Sequence, residues 1–368
     1  MKIACVITTL AMGGAERLAL DLAHRMVQRG HHVQVLVLGE AEPKEWPTEL
    51  PVLRLGITRN PLRALAGFWK ARRALREFAP DIVHSHCFYS NLFARLLRLC
   101  GVRARLLSTV HNVYEGPWLR MLAYRLTDWL ADGVVFVCQA GAERYTALHA
   151  AGQAKIRVLA NGIDLALFAP DPERRAATRT AMEAGECFVW LSAGRLTGAK
   201  DIPNLLRAFA RVLEAREDAA LWIAGEDRDG EQSELQALAA DMGIAFAVCW
   251  LGLRRDLPAL IDACDGFVLA SAWEGMPLVI AEAMAMSTPV VATDVGGVRE
   301  VAGESAWLVT ARDSAALAQA MLAVMRLPED SLRTRTARGR ARMEAGFSME
   351  ACADRWEALY RELLERPA

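Results

Sequence analysis

Short runs of aliphatic and β-branched residues alternate with longer stretches of helical period along most of the chain. Residues 3–8 read as a strand. A helix over 15–29 follows, with Leu18, Leu22 and Met26 on one face and Gly30 as its stop. Further strands are expected at 33–38, 52–55, 81–84, 105–110, 134–138 and 156–159, separated by helices near 61–78, 89–99, 118–130 and 140–150. Such strand–helix alternation builds a parallel sheet. A polar stretch over 164–186, containing Pro170, Asp171 and Pro172, breaks the pattern and reads as a connector. Strands resume at 187–191, 220–224, 247–250, 266–269, 289–292 and 306–309, so the second half is α/β as well. From about Asp313 only helical segments follow, and the last, over 349–364, offers Trp356, Leu359, Tyr360, Leu363 and Leu364 for burial.

A chain of 368 residues exceeds what one core usually organises, which fits two domains. With 53% hydrophobic and 24% charged residues and no low-complexity tract, disorder does not carry the function. The eight cysteines contain no C-x-x-C pair and several sit in apolar runs, which reads as reduced, buried thiols in a cytoplasmic protein. The apolar run up to Ala11 is used as the first strand rather than as a signal peptide, and no later run reaches the ~18 apolar residues of a membrane span. Charge is uneven. Residues 1–164 carry a net +8 and residues 165–368 a net −9. A basic first half suits an anionic partner such as a phosphorylated lipid or a membrane surface, and the stretch 59–76, with Phe68 and Trp69 among Arg63, Lys70, Arg72, Arg73 and Arg76, is a candidate for that contact.

In open parallel sheets ligands bind beyond the carboxyl ends of the strands, so the loops that follow strands hold the candidate chemistry. Gly13 and Gly14 open the first helix and expose backbone N–H groups at an end that favours anions, without the G-x-G-x-x-G spacing of dinucleotide binders. Gly194, Arg195 and Lys200 share one loop. There a planar guanidinium and a mobile ammonium can neutralise a diphosphate, and the chain spends only five of its 43 basic residues on lysine. The run Glu274, Gly275, Met276, Pro277 and Leu278 leads into a helix with Pro in its first turn, where free N–H groups suit an anion or a sugar hydroxyl. Glu282 interrupts that apolar helix and needs a partner such as a ribose hydroxyl or a nearby arginine. Eight helical residues would hold Glu274 and Glu282 ~12 Å apart, which exceeds an acid/base pair and gives them separate tasks. His111 with Asn112 ends one strand, and Asn161-Gly162-Ile163-Asp164 ends the first half. His84 and His86 lack a third ligand, so no metal site is expected.

In this order the loops resemble the retaining glycosyltransferase family 4. The resemblance rests on Gly-Gly-Ala-Glu-Arg at 13–17, His111-Asn112, Asn161 to Asp164, Gly194-Arg195-Leu196 with Lys200, and Glu274 and Glu282 spaced E-x7-E. It implies the α/β GT-B fold, two Rossmann-like domains facing across a cleft: 1–164 for the acceptor, 165–348 for the nucleotide sugar, and a helix over 349–368 crossing back to the first. It further implies that Arg195 and Lys200 grip the diphosphate and Glu282 the ribose. Glu274, with the backbone of Gly275, Met276, Pro277 and Leu278, would hold the donor sugar. Gly13, Gly14 and Gly194 would lie near the phosphates, His111 near the transferred sugar, and Asn161 and Asp164 between the domains. Asp201, Met276 and Cys138 depart from the residues usual in the family.

The implied activity is metal-independent, retaining transfer from a nucleoside diphosphate sugar, with UDP expected from its frequency in the family. No cofactor and no nucleic acid are implied. The implied acceptor is a glycan or lipid-linked sugar in bacterial cell-surface polysaccharide or lipopolysaccharide synthesis, at the inner face of the cytoplasmic membrane. A sugar-nucleotide epimerase of similar architecture and a non-catalytic nucleotide-sugar-binding scaffold are the alternative readings.

Overall fold

The structure, a computed structural model, describes residues 1–41, 44–227 and 230–366. The chain forms two compact units, one of Met1–Gly162 with Met349–Ala368 and the other of Ile163–Ser348.

The first unit is built on seven strands: β1 (Lys2–Ile7), β2 (His32–Val37), β3 (Val52–Arg54), β4 (Ile82–His86), β5 (Arg105–Val110), β6 (Gly133–Phe136) and β7 (Ile156–Val158). They pair in parallel in the order β3-β2-β1-β4-β5-β6-β7. The order reverses between β1 and β4, and a crevice opens at such a reversal. Helices α1 (Gly14–Gln28), α2 (Pro61–Phe78), α3 (Cys87–Leu99), α4 (Trp118–Thr127) and α5 (Gln139–Ala147) connect the strands. Local chemistry sets their ends: Asn60 accepts from the N–H groups of Leu62 and Arg63 ahead of Pro61, and caps α2. β4 runs two residues past the expected end at His84, so His84 and His86 both belong to the strand and, two apart, share one face.

The second unit carries β8 (Phe188–Ala193), β9 (Ala219–Ala224), β10 (Val248–Gly252), β11 (Gly266–Leu269), β12 (Val290–Thr293) and β13 (Trp307–Val309), again all parallel, in the order β10-β9-β8-β11-β12-β13. Here the reversal falls between β8 and β11. Its helices are α6 (Pro172–Ala181), α7 (Ile202–Ala215), α8 (Gln232–Asp241), α9 (Leu257–Ala263), α10 (Leu278–Ala285), α11 (Val298–Ala302), α12 (Ser314–Arg326) and α13 (Glu329–Gly346). The apolar stripe of α7, Leu205, Phe209 and Val212, closes on Trp190 and Leu221 of the sheet and on Leu317 and Met321 of α12.

The stretch expected to be a connector contains α6. This helix has no buried residue, so it lacks the apolar period that marks the others. Arginines hold it instead: Arg174 pairs with Asp262, and Arg175 and Arg179 pair with Asp265 at 2.5 and 3.0 Å. Arg175 also donates to the carbonyls of Asp262 and Cys264, which end α9.

The last helix, α14 (Met349–Glu365), belongs to the first unit. It buries Trp356, Tyr360 and Leu363. Arg29 pairs with Glu350, Asp354 and Glu357, and His31 approaches Glu357 at 3.1 Å. All eight cysteines are free thiols. Cys5, Cys138, Cys264 and Cys352 are buried as expected, but Cys187, just before β8, and Cys249, the second residue of β10, are exposed. Among the described residues no helix is long and apolar enough to cross a membrane.

Candidate active site

In the second unit the loops after β8 and β11 flank the reversal of strand order, and they carry Arg195 with Lys200 and Ser271 with Glu274. Backbone bonds tie the two loops together. Ala272 N–H donates to the Ala199 carbonyl at 2.8 Å, and Thr293 Oγ1 at the end of β12 donates to the Ser271 carbonyl at 2.6 Å. On this frame the Lys200 ammonium lies 2.5 Å from Glu274 Oε1, and the Ser271 hydroxyl donates to the same oxygen at 2.6 Å. Glu274 Oε2 has no partner among the described residues. Arg195 is exposed and forms no ion pair among the described residues.

Three glycines make this approach possible. A Cβ at Gly194 would lie 2.7 Å from Lys200 Cε. A Cβ at Gly225, after β9, would overlap the Gly194 carbonyl, and one at Gly296, after β12, would overlap the Glu274 carbonyl. Gly297 N–H then donates to the Gly275 carbonyl at 2.7 Å. The sequence reading named Gly194 and missed Gly225, Gly296 and Gly297. Their signal was available, since each follows a strand in the parallel series, but nothing in a lone glycine says what passes beside it.

Gly275, Met276 and Pro277 are buried and lead into α10, which begins at Leu278 and has no side-chain cap. Its first-turn N–H groups therefore form an anion-favouring end of the kind expected. Glu282 lies on this helix with 4% of its surface exposed. Asp201 explains its own departure from the family pattern. It sits at φ +45° and caps α7 through Asn204 N–H, a left-handed conformation that glycine adopts freely and aspartate tolerates.

In the first unit, Gly13 is the extended N-cap of α1 and Gly14 its first residue. The Glu16 carboxylate occupies the space a Gly13 side chain would take, so this helix end already carries an anionic group. His111 follows β5 and stands against His86, with His86 Nδ1 and His111 Nε2 3.1 Å apart. His84 packs against His86 with ring centroids 4.0 Å apart and ring planes tilted by 38°. His84 also bonds Thr109 Oγ1 and the Tyr360 hydroxyl of α14, each at 2.7 Å. Burial holds all three imidazoles below their usual range, His84 at about 3 and His111 at about 4. Among the described residues no group of His, Cys, Asp and Glu is arranged to hold a metal ion.

Deeper in this unit Glu115 accepts from the hydroxyls of Tyr124 at 2.8 Å and Tyr145 at 3.2 Å, and burial pushes its carboxyl up to about 7. The sequence reading missed this cluster, whose members lie on α4, α5 and the loop before α4 with no common spacing. Asn161 is buried at the end of the first unit, and Asp164, in the second, accepts from the N–H groups of Ala166 and Leu167 in a local turn. Cys138 is the N-cap of α5 and makes no capping bond, where a serine hydroxyl would accept one.

Two doubly wound parallel sheets, with charged loops at the reversal of the second, define the two-Rossmann-domain GT-B class of glycosyltransferases. The chain belongs to glycosyltransferase family 4: residues 12–167 match the Glycosyltransferase Family 4 model, and residues 187–326 match the model for glycosyl transferases group 1. It is 31% identical over 360 residues to the D-inositol 3-phosphate glycosyltransferase of Acidothermus cellulolyticus, covering 91% of this chain and 77% of that protein. The lipopolysaccharide core biosynthesis mannosyltransferase LpsB of Rhizobium meliloti is 28% identical over 92% of this chain and 91% of its own. Among solved structures, Anabaena Alr3699/HepE in complex with UDP and glucose superposes with a TM-score of 0.87 at 22% identity, over 98% of this chain and 99% of that one.

Proposed function

We propose that this protein is a metal-independent, retaining glycosyltransferase that moves a sugar from a nucleoside diphosphate sugar, with UDP as nucleotide, to a glycan or lipid-linked acceptor in cell-surface polysaccharide or lipopolysaccharide synthesis. The observation that carries the reading is the cation pair at the strand reversal: Lys200 fixed by Glu274, beside the exposed Arg195 and the uncapped start of α10. Those groups supply the positive potential that a diphosphate leaving group requires, which is the work a metal ion does elsewhere.

In the proposed reaction the bond between the anomeric carbon and the diphosphate oxygen breaks while the acceptor oxygen bonds that carbon from the same face. The acceptor proton passes to the departing phosphate. Arg195 and Lys200 take up the developing negative charge, Glu274 Oε2 accepts from a donor-sugar hydroxyl, and Glu282 accepts from the ribose. His111, in the first unit, works on the transferred sugar. The HepE complexes with UDP and glucose and with UDP-glucose support the choice of nucleotide.

Membrane contact belongs to the same reading, but its supporting surface is α4 rather than α2. On α2 four of the five cations are engaged locally, Arg63 on Glu40, Arg73 on Glu77, Lys70 on the Arg54 carbonyl and Arg72 on the Cys100 carbonyl, which leaves Arg76. α4 and the turn after it expose Trp118, Leu119, Leu122, Leu126 and Trp129 together, with Arg125 exposed among them. An apolar stripe with tryptophan at both ends and a cation between is the pattern of an interfacial helix.

A calorimetric panel of UDP, GDP, ADP and CMP in EDTA, on the wild type and Glu282→Ala, tests the donor site. Tight binding of one diphosphate, lost in the variant, is expected, and no binding by any of them would overturn the metal-independent reading. Flotation with anionic vesicles tests the surface, where Trp118→Ser with Leu122→Ser should stay at the bottom of the gradient.

A further inference from the structure

His86 is a buried member of the histidine cluster that the proposed mechanism leaves without a task. Its ring is buried at the end of β4, where Cys87 turns the chain at φ +66° into α3 and so fixes the direction in which His86 projects. His84 lies against one face of the ring and His111 against its edge. Among the described residues only Nδ1 of His86 has a partner, the Nε2 atom of His111, while its own Nε2 is shut off from solvent with no hydrogen bond.

A neutral imidazole carries one N–H, so this pair admits two arrangements. If His111 donated from Nε2, His86 would have to carry its proton on Nε2, leaving a buried N–H with no acceptor. If His86 donates from Nδ1, the enclosed Nε2 is a bare ring lone pair. Orphaned donors are the rarer and costlier of the two defects. We propose that His86 is a positioning residue that donates from Nδ1 to His111 Nε2 and thereby locks His111 as the Nδ1–H tautomer. His111 Nδ1 is not among the enclosed, unpartnered atoms, so the proton it carries lies at the ring edge that solvent can reach.

The consequence deepens the proposed mechanism and rests on it only for the part His111 plays in transfer. As a fixed Nδ1–H donor, His111 offers a hydrogen bond to a sugar oxygen and has no free lone pair with which to take the acceptor's proton. That proton is left to the departing phosphate.

Long-range proton–nitrogen NMR of the full chain labelled with nitrogen-15 in its seven histidines tests the assignment, with His111→Asn identifying the His111 signals. The wild type should show His111 protonated on Nδ1 with an unprotonated Nε2. His86→Phe should release it to the Nε2–H form or a mixture, and His86→Asn, whose side-chain amide restores a donor near the Nδ1 position, should return it to Nδ1–H. A wild-type His111 protonated on Nε2, or a tautomer unmoved in His86→Phe, overturns the proposal, and the wild-type spectrum decides it even should that variant fail to fold. Hydrolysis of UDP-glucose separates the two readings. We expect a fall of at least about tenfold in His86→Phe, recovered in His86→Asn, where a mis-set tautomer in a protease triad costs about 10⁴-fold. A locked tautomer in a protein whose His111→Ala variant hydrolyses UDP-glucose at the wild-type rate would sink the role of His111 in transfer and leave its tautomer assignment standing.

Discussion

Lys200 Nζ and Glu274 Oε1 lie 2.5 Å apart, although 74 residues separate them in the chain. The contact joins the loops on either side of the strand reversal and fixes an ammonium within the donor site proposed above. Both side chains are mostly covered, at 19% and 11% exposure, so neither charge is free to relax into bulk water when its partner is lost. Lys200→Ala should lower transfer by about 10²-fold or more, the usual cost of a lost electrostatic donor. In a double-mutant cycle Lys200→Ala and Glu274→Ala should couple by about 0.5–3 kcal/mol in stability. Additive losses would show that the pair is incidental.

Gly225 and Gly296 are expected to matter as much as the charged residues they sit beside. Alanine at either position puts a methyl group into a backbone carbonyl, of Gly194 or Glu274, and Gly296 also holds a left-handed φ of +54°. Each alanine variant should lose about 1–3 kcal/mol in denaturant titration and weaken diphosphate binding. Unchanged affinity in both would mean that the loop spacing does not define the site.

Acid should unfold the first unit by a route the second lacks, because all seven histidines lie before residue 150. His84, His86 and His111 have folded values below the ordinary 6.5, so between that pH and about 4 the unfolded chain binds protons that the folded one refuses. Stability therefore falls as pH drops below 6.5. Glu115 opposes this. Its carboxyl, raised from 4.5 to about 7, keeps a proton in the folded state, so its contribution is full below 4.5 and fades as pH rises through 7. Three imidazoles outweigh one carboxyl, and denaturant midpoints should fall from neutral pH to pH ~5. Glu115→Gln should steepen that fall, and a flat profile in the variant would refute the balance.

Trp356→Ala should cost about 3–5 kcal/mol, as for a large buried side chain, and Tyr360→Phe about 1–3 kcal/mol for leaving His84 Nδ1 without its hydroxyl. Both losses should appear in the first unit, which hydrogen exchange resolved along the chain will show.

The strand series was legible because parallel strands buried on both faces read as short apolar runs, and β5 and β11 fall on the residues expected of them. α6 was not legible, since its register is set by arginine and aspartate rather than by apolar residues. The candidate site divides in the same way. Arg195, Lys200 and Glu274 stand out as charges in loops, whereas the spacing of those loops depends on Gly225 and Gly296, whose purpose is visible only from what their missing side chains would strike. The end of β4 shows a third case: the i, i+2 spacing put His84 and His86 on one face with no third ligand in view, but it gave no sign that His111 would meet them there in a buried cluster.

The first unit closes with residues that the ribosome makes after the whole of the second. Until Trp356, Tyr360 and Leu363 emerge, the nascent sheet displays an unfilled apolar groove and His84 lacks its hydroxyl partner. Domains tend to fold in order as they leave the ribosome, but here the earlier one must wait for the later to be finished. Loss of the segment after Ser348 would thus spare the unit made later and deprive the one made earlier of the helix that fills its groove.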